Sequence, residues 1–334
     1  MRIGRSLFYP ICGANALLVA ACSGPQSALS PAGREAERIA ELFWWMTAGA
    51  LVIWVAVVGI GIYTALGKSS VYSRTGATKV LIVGGGALLP TVTLALLLAY
   101  GLSLLPQLAA PAPEGSLRIA VSGEQWWWRV SYLKPGEDAA TVELANEIHL
   151  PVGEPVEFRL ESPDVIHSFW IPALGGKIDM IPGRVTRLAL TPTKTGVFRG
   201  TCAEYCGTSH ALMSFYVVVE EKETFDRWLA RQQAPALEPA GSLATHGQTL
   251  FLANGCGACH TIRGTPANGV VGPDLTHFGS RVSAGAGIVA NSPEALLRWI
   301  AHTEQLKPGV LMPSFDMLPK EDLEAMAAYL QELK

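Results

Sequence analysis

Charge is scarce in this sequence. Asp, Glu, Lys and Arg make up only 16% of its 334 residues, and the net charge is −3 at neutral pH. No block of Lys or Arg is present, and that excludes the clustered cations a nucleic-acid partner requires. Internal repeats are absent too, so a solenoid is ruled out. Cysteine is limited to six residues, too few for a disulfide-stapled scaffold of this length. What fills the composition instead is apolar: 49% of the residues are hydrophobic. That imbalance reads as a membrane protein with soluble parts.

The first 22 residues have the form of an export signal. Arg2 and Arg5 supply the positive start, and "ALLVAAC" ends an apolar run. Val19-Ala20-Ala21-Cys22 resembles a lipoprotein cleavage box, with Cys22 as the lipidated residue. An ordinary signal peptide cut nearby, or an uncleaved anchor, explains the same residues. The segment 23–41 reads as a flexible tether.

Two runs lack charge altogether, 42–66 and 80–105. Each is about 25 residues, roughly 37 Å as helix, and exceeds a hydrocarbon core of about 30 Å. Pro90 and Gly84-Gly85-Gly86 predict a kinked or thinned second helix. The loop between them carries Lys68, Arg74 and Lys79 and no acid, which places it in the cytoplasm. The rest of the chain then lies outside, in agreement with the export signal.

Residues 106–116 form a Pro/Ala linker. Over 117–231 short apolar runs alternate with Pro/Gly turns, the pattern of a β-sandwich or small barrel, with a closing amphipathic helix. Residues 232–242 are a second linker, short but long enough to leave the last segment mobile. The last segment, 243–334, has helical periodicity around loops.

In "TCAEYCGTSHALM", Cys202, Cys206, His210 and Met213 crowd thiolate, imidazole and thioether donors together. That mixture suits copper, Cu(I) above all. His167, in the apolar setting of "SPDVIHSFWIP", is a candidate second imidazole. A mononuclear blue-copper site needs one thiolate, so the second cysteine points to two bridged ions. A Cys202–Cys206 disulfide or a zinc site competes for the same residues, but zinc leaves the methionine without a role.

These residues, with D-V-x-H-S before them, resemble the dinuclear copper A domain of cytochrome c oxidase subunit II. "GEQWWWRVSY" and "KIDMIPGRV" are similar to two further segments of that family. The resemblance implies an all-β cupredoxin-like sandwich behind a two-helix transmembrane hairpin. It implies copper bound by His167, Cys202, Cys206, His210 and Met213, with the backbone carbonyl of Glu204. The Glu204 carboxylate would face a magnesium ion at the subunit I interface. Trp126 would be the tryptophan through which electrons enter. Read as strand residues, Trp126 and Trp128 share one face and Trp127 the other. The family's glutamate before the helix proline has no counterpart here, since "VLIVGGG" precedes Pro90, so the resemblance carries no proton path to this chain.

"CGACH" is a C-x-x-C-H box: Cys256 and Cys259 for thioethers to haem, His260 for the iron. Met312, in "VLMPSFDML", is the candidate sixth ligand and Met317 the fallback. A thioredoxin-like pair is the rival, but it leaves His260 and Met312 idle. "GVVGPDLTHFG" resembles the proline loop of class I cytochromes c, which implies an all-α domain of that class. His246, His277 and His302 read as surface or structural residues, and His149 as a strand end.

The combined expectation is a multidomain membrane protein that resembles the caa-type oxidases. It would hold two copper ions and one covalent haem c. Its partners would be oxidase subunit I and subunit III, with a reduced cytochrome c or a quinol–cytochrome c reductase as donor. It would sit in a bacterial plasma membrane with both cofactor domains on the outer side. A membrane-anchored copper and haem carrier without an oxidase partner is the second reading.

Overall fold

The computed structural model describes residues 23–66, 75–134 and 136–334. Cys22, the rest of the signal sequence, Lys68 and Arg74 lie outside the described residues.

The charge-free runs form helices: α1 (Arg34–Leu66), a short α2 (Thr75–Lys79), a π-helical stretch Val80–Leu88 and α3 (Leu89–Leu108). The spans Arg34–Leu66 and Val80–Leu108 are each long and apolar enough to cross a membrane. The wide turns fall where the sequence puts three glycines before Pro90. Leu89 N bonds back to the Gly84 carbonyl, and the proline ring enters at the start of α3. Pro106 lies inside the last turn of α3, and the helix runs to Leu108, three residues into the expected linker 106–116.

The helix begins at Arg34, eight residues before the apolar run at Leu42. "REAERIAE" is good helix-forming sequence after Gly33, and Glu35 and Glu37 sit where the helix dipole favours acids. The segment before it is not free tether. Pro25 O accepts from Arg199 N (2.9 Å), and Ala32 N donates to Ala173 O (2.7 Å). The Glu35 carboxylate accepts from Thr191 N (2.9 Å).

Residues 117–220 build two five-stranded sheets from β1 (Leu117–Glu124), β2 (Trp127–Leu133), β3 (Ala140–Ala145), β4 (Glu147–Pro151), β5 (Val156–Glu161), β6 (His167–Trp170), β7 (Ile178–Met180), β8 (Thr186–Leu190), β9 (Gly196–Cys202) and β10 (Ser214–Glu220). The orders are β3-β2-β1-β5-β8 and β4-β10-β9-β6-β7. Alternate residues of β1 and β2 point inward, and Trp128 packs edge-on to Phe169 and Phe215 (5.7 and 5.1 Å between centroids). The run 141–150 reads as one strand but is two, in different sheets. The chain turns at Asn146, at φ 60°, where its Oδ1 accepts from Trp128 N (2.8 Å). Asparagine tolerates that left-handed conformation better than most residues. His149 therefore lies mid-strand in β4, buried between Glu147 and Glu220.

Helix α4 (Lys222–Gln232) closes the sandwich. The second linker is pinned rather than mobile: Arg263 donates to Gln232 O (2.6 Å), Ala236 N to Arg263 O (2.9 Å), and His277 Nε2 meets Ala234 O (3.0 Å). The last domain holds α5 (Ser242–Ala253), a β11–β12 hairpin (Ser283–Ala284, Val289–Ala290), α6 (Pro293–Ala301), α7 (Thr303–Leu306) and α8 (Lys320–Glu332). Ser292 caps α6, accepting from Ala295 N. Leu323, Met326 and Leu330 of α8 are all buried, as their spacing predicts.

Helices α5 and α8 cross at Gly247, where an added Cβ would lie 1.9 Å from Ala325 O. Backbone cannot yield there as a side chain would. Gly247→Ala is expected to destabilise this domain by about 2 kcal/mol or more, measured as a lower midpoint of its thermal transition while the sandwich transition stays put.

Candidate metal and haem sites

The first site forms where β6, β9 and the loop to β10 converge. Cys202 N bonds to Met213 O (2.9 Å) and Ala203 N to Ser168 O (2.9 Å), so the loop 203–212 folds back over the end of β6. A 3-10 turn His210–Leu212 then returns the histidine to the cysteines. The Cys202 and Cys206 sulfurs are 3.8 Å apart, far beyond the roughly 2.05 Å of a disulfide, and both thiols are free. His167 Nδ1 lies 3.8 Å from Cys202 Sγ, and His210 Nδ1 3.5 Å from Cys206 Sγ. Met213 Sδ is 3.9 Å from Cys206 Sγ, and the Glu204 carbonyl 3.2 Å from Cys202 Sγ. All six sequence candidates thus come together, and the ligand atoms of His167, Cys202 and Cys206 fall within 4.8 Å of one another, all buried.

Asp164 is a residue the sequence reading left without a role. It accepts from His167 Nε2 (2.9 Å) and from Gln125 N (2.6 Å). That bond fixes the proton on Nε2 and leaves Nδ1 facing the sulfurs, the usual way a carboxylate prepares a ligand histidine. Burial works against protonation of His167, but its bonds to Cys202 and Asp164 outweigh it and raise its pKa. The signal was available as the acid three residues before the histidine. The Glu204 carboxylate points away from the sulfurs, half exposed, 4.0 Å from Lys177 Nζ.

The donor chemistry fits copper. Two sulfurs central to two imidazole nitrogens, with one thioether and one carbonyl at the margin, match a pair of soft ions sharing both thiolates.

The second site is a cavity of about 320 Å3 lined by Cys256, Cys259, His260 and Met312 among apolar side chains such as Phe251 and Leu275. Gly255, at φ 76°, starts the tight turn that carries Cys256. His260 Nδ1 donates to the Pro273 carbonyl (2.8 Å), which leaves Nε2 free. Burial lowers the His260 pKa, so the ring is kept neutral and ready to ligate. Met317 is 71% exposed and does not line the cavity. Arg281, buried and also lining the cavity, has an Nε without a hydrogen-bond partner. An unpaired guanidinium nitrogen in an apolar cleft suits a large flat ligand that carries carboxylates, as haem does.

Trp126 lies in the turn between β1 and β2 rather than in a strand. Its Nε1 donates to Cys206 O (2.9 Å), and the residue also lines the haem cavity. Trp128 is core, and Trp127 stacks under Arg129 (4.7 Å to the ring centroid).

The family of cytochrome c oxidase subunit II periplasmic domains matches residues 117–221, and the cytochrome c family matches residues 244–334. Cytochrome c oxidase subunit 2 of Alkalihalophilus pseudofirmus is 41% identical over 227 residues, 67% of this chain and 64% of that protein. The match to that relative thus spans just under two thirds of its length. Cytochrome c oxidase subunit 2 of Bacillus subtilis is 28% identical over 344 residues, 95% of each chain. Among solved structures, the periplasmic domain of subunit II of the cytochrome oxidase of Bradyrhizobium japonicum is 33% identical, with a TM-score of 0.34, and covers 36% of this chain and 96% of that one.

Proposed function

We propose that this chain, a member of the cytochrome c oxidase subunit II family that also carries a cytochrome c domain, is the electron-receiving subunit of a haem-copper terminal oxidase. The haem domain takes electrons from a reduced cytochrome c or a quinol–cytochrome c reductase. The cupredoxin-like domain hands them to subunit I, where oxygen becomes water. Subunit III completes the assembly, in a bacterial plasma membrane with both soluble domains on its outer side. Cys22 carries a lipid in this reading.

The observation that carries the proposal is Trp126, which bonds to the carbonyl of Cys206 and lines the haem cavity at once. When bound, two copper ions and a covalent haem supply reversible one-electron chemistry and no oxygen chemistry. His167, Cys202, Cys206, His210 and Met213 would hold the copper by side chain and Glu204 by its carbonyl. Burial of both thiols and of His167 keeps water out and lets little move on reduction. Cys256 and Cys259 would anchor the haem covalently, and His260 and Met312 would be the residues that hold its iron. The Glu204 carboxylate would share a magnesium ion with subunit I in this reading, and its half-exposed position supports that role.

Affinity purification of the tagged full chain from membranes tests this reading. A large polytopic partner carrying haem, with oxygen uptake driven by reduced cytochrome c, is the expected result. A chain that elutes alone with both cofactors loaded establishes the carrier reading instead.

A further inference from the structure

One buried side chain closes the seam between the two soluble domains. Lys307 follows α7 in the haem domain and is 2% exposed. Its Nζ donates to the carbonyl of Trp126 (2.6 Å) and to that of Gly285 (3.0 Å), one acceptor from each domain. Among the described residues no carboxylate forms an ion pair with it. Glu304, three residues earlier, instead accepts from Gly309 N (3.1 Å). Lysine is almost never fully buried without a partner acid, so the position calls for a reason.

The surroundings of Trp126 supply one. Its indole is bonded to the copper loop at Cys206 O, where Gln125 Nε2 also donates (2.7 Å). A Cβ on Gly207, in that loop, would lie 3.0 Å from Trp126 Cζ2. A Cβ on Gly309, just past Lys307, would lie 2.9 Å from Cη2 of the same ring. The indole is therefore held between two glycines, one from each domain. Ser209 Oγ donates to Pro308 O (2.6 Å) and Ser214 N to Ala286 O (3.1 Å), which ties the same two strips together on either side.

We propose that Lys307 is a positioning residue for electron transfer between the domains: by bridging the Trp126 and Gly285 carbonyls it fixes the indole between the copper loop and the haem-domain turn. The inference rests on the relay reading above and deepens it. Nothing about Lys307 marks it in the sequence, because its partners are 181 and 22 residues away.

The seam also has a pH signature. Burial brings the Lys307 amine down to about 7, with the charge of Cys206 acting in the opposite sense. The other charged groups along the seam have partners of their own: Glu124 pairs with Arg129 (2.8 Å), Glu304 holds Gly309 N, Arg281 donates to the Asp274 carbonyl, and Glu147, bonded to His149 (3.0 Å), accepts from Val282 N across the same seam (2.6 Å). A lysine released from the seam returns to its ordinary value of 10.5. Docking therefore releases a proton between about pH 7 and that value. Through Lys307 the docked state binds fewer protons, so this residue's contribution to docking grows as pH rises through the window and is flat below it.

The test compares the full-length wild-type chain with Lys307→Met and Gly309→Ala, each purified in its oxidase. Two quantities are read: the rate of electron equilibration between haem and copper after a light flash, and amide hydrogen exchange across residues 123–128 and 283–288, measured on loaded and metal-free chain. Lys307→Met is expected to keep the haem band and the copper resonance, to slow equilibration about tenfold or more, as small misplacements of a transfer partner do, and to speed exchange in both strips. The wild-type rate should climb from pH 7 to 9, and the Lys307→Met rate should stay flat. Gly309→Ala, which displaces the ring with Lys307 intact, should slow transfer likewise.

Equilibration at the wild-type rate in Lys307→Met overturns the proposal, whether or not exchange quickens. If Lys307→Met loses its cofactors, Gly309→Ala with intact signals and an unchanged rate overturns it. Absence of any haem-to-copper transfer in the wild type sinks the relay reading, and exchange on the metal-free chain still decides separately whether Lys307 fixes the seam.

Discussion

Replacing Cys202 by alanine is expected to abolish the copper resonance of the full chain and to leave the haem absorption unchanged. Both sulfurs lie between the two imidazoles, at 3.8 Å from each other, so each thiolate would be available to both ions of a copper pair. Removing Cys202 would take away one of the two thiolates and strand His167 Nδ1 with no sulfur beside it. Metal content should fall from two copper ions to one at most, measured by elemental analysis beside the resonance spectrum. The metal-free pair explains why affinity will depend on pH. The hydrogen bond from Cys206 and the one from His167 draw Cys202 down to about 3, while Cys202 beside it and burial push Cys206 upward. The two thiols thus share one proton, which loading must displace, so affinity rises with pH. Glu204→Gln is the control, because only its backbone carbonyl faces the sulfurs, at 3.2 Å from Cys202 Sγ. Loss of the haem band together with copper would mean the two sites do not load independently.

Much of this was legible in the chain because the chemistry is local. Five copper-site residues fall between Cys202 and Met213, and three haem-site residues between Cys256 and His260, so spacing alone brings their donors together. His167 could be found at a distance because an imidazole among Val165, Ile166, Phe169 and Trp170 needs a polar reason to be there. The strands carrying these groups were harder to see. Strand β6 has four residues and β7 three, too short for an alternation to register. The run 141–150 kept its apolar pattern across Asn146, so nothing in hydrophobicity betrayed the change of sheet. The segment before Leu42 looked like tether because it is polar, yet its backbone pairs with Ala173, Thr191 and Arg199, which lie well over 100 residues away. The same reason hid Lys307. A seam between domains is written in pairs of distant residues, none of which has an unusual neighbour in sequence.

Met312→Ala is expected to lower the haem potential by on the order of 0.1 V, part of the roughly 0.8 V over which axial ligands set haem potentials. Met312 lines the cavity beside His260 and packs against the core of its domain, whereas Met317 is 71% exposed. Only the first can present its sulfur to an iron held by His260. A thioether favours the reduced iron, so its loss favours the oxidised form. For one electron, about 59 mV is a tenfold change in equilibrium, and 0.1 V therefore weakens the haem as an acceptor from its donor by roughly fiftyfold. Turnover with reduced cytochrome c should drop accordingly, while transfer from a pre-reduced haem toward copper gains driving force and does not slow. That opposition separates a ligand from a packing residue, which would depress both. Redox titration of the haem band, with Met317→Ala alongside, is the measurement. An unchanged potential in Met312→Ala, or a fall confined to Met317→Ala, would move the sixth ligand to the exposed methionine and require the loop 310–319 to refold over the haem.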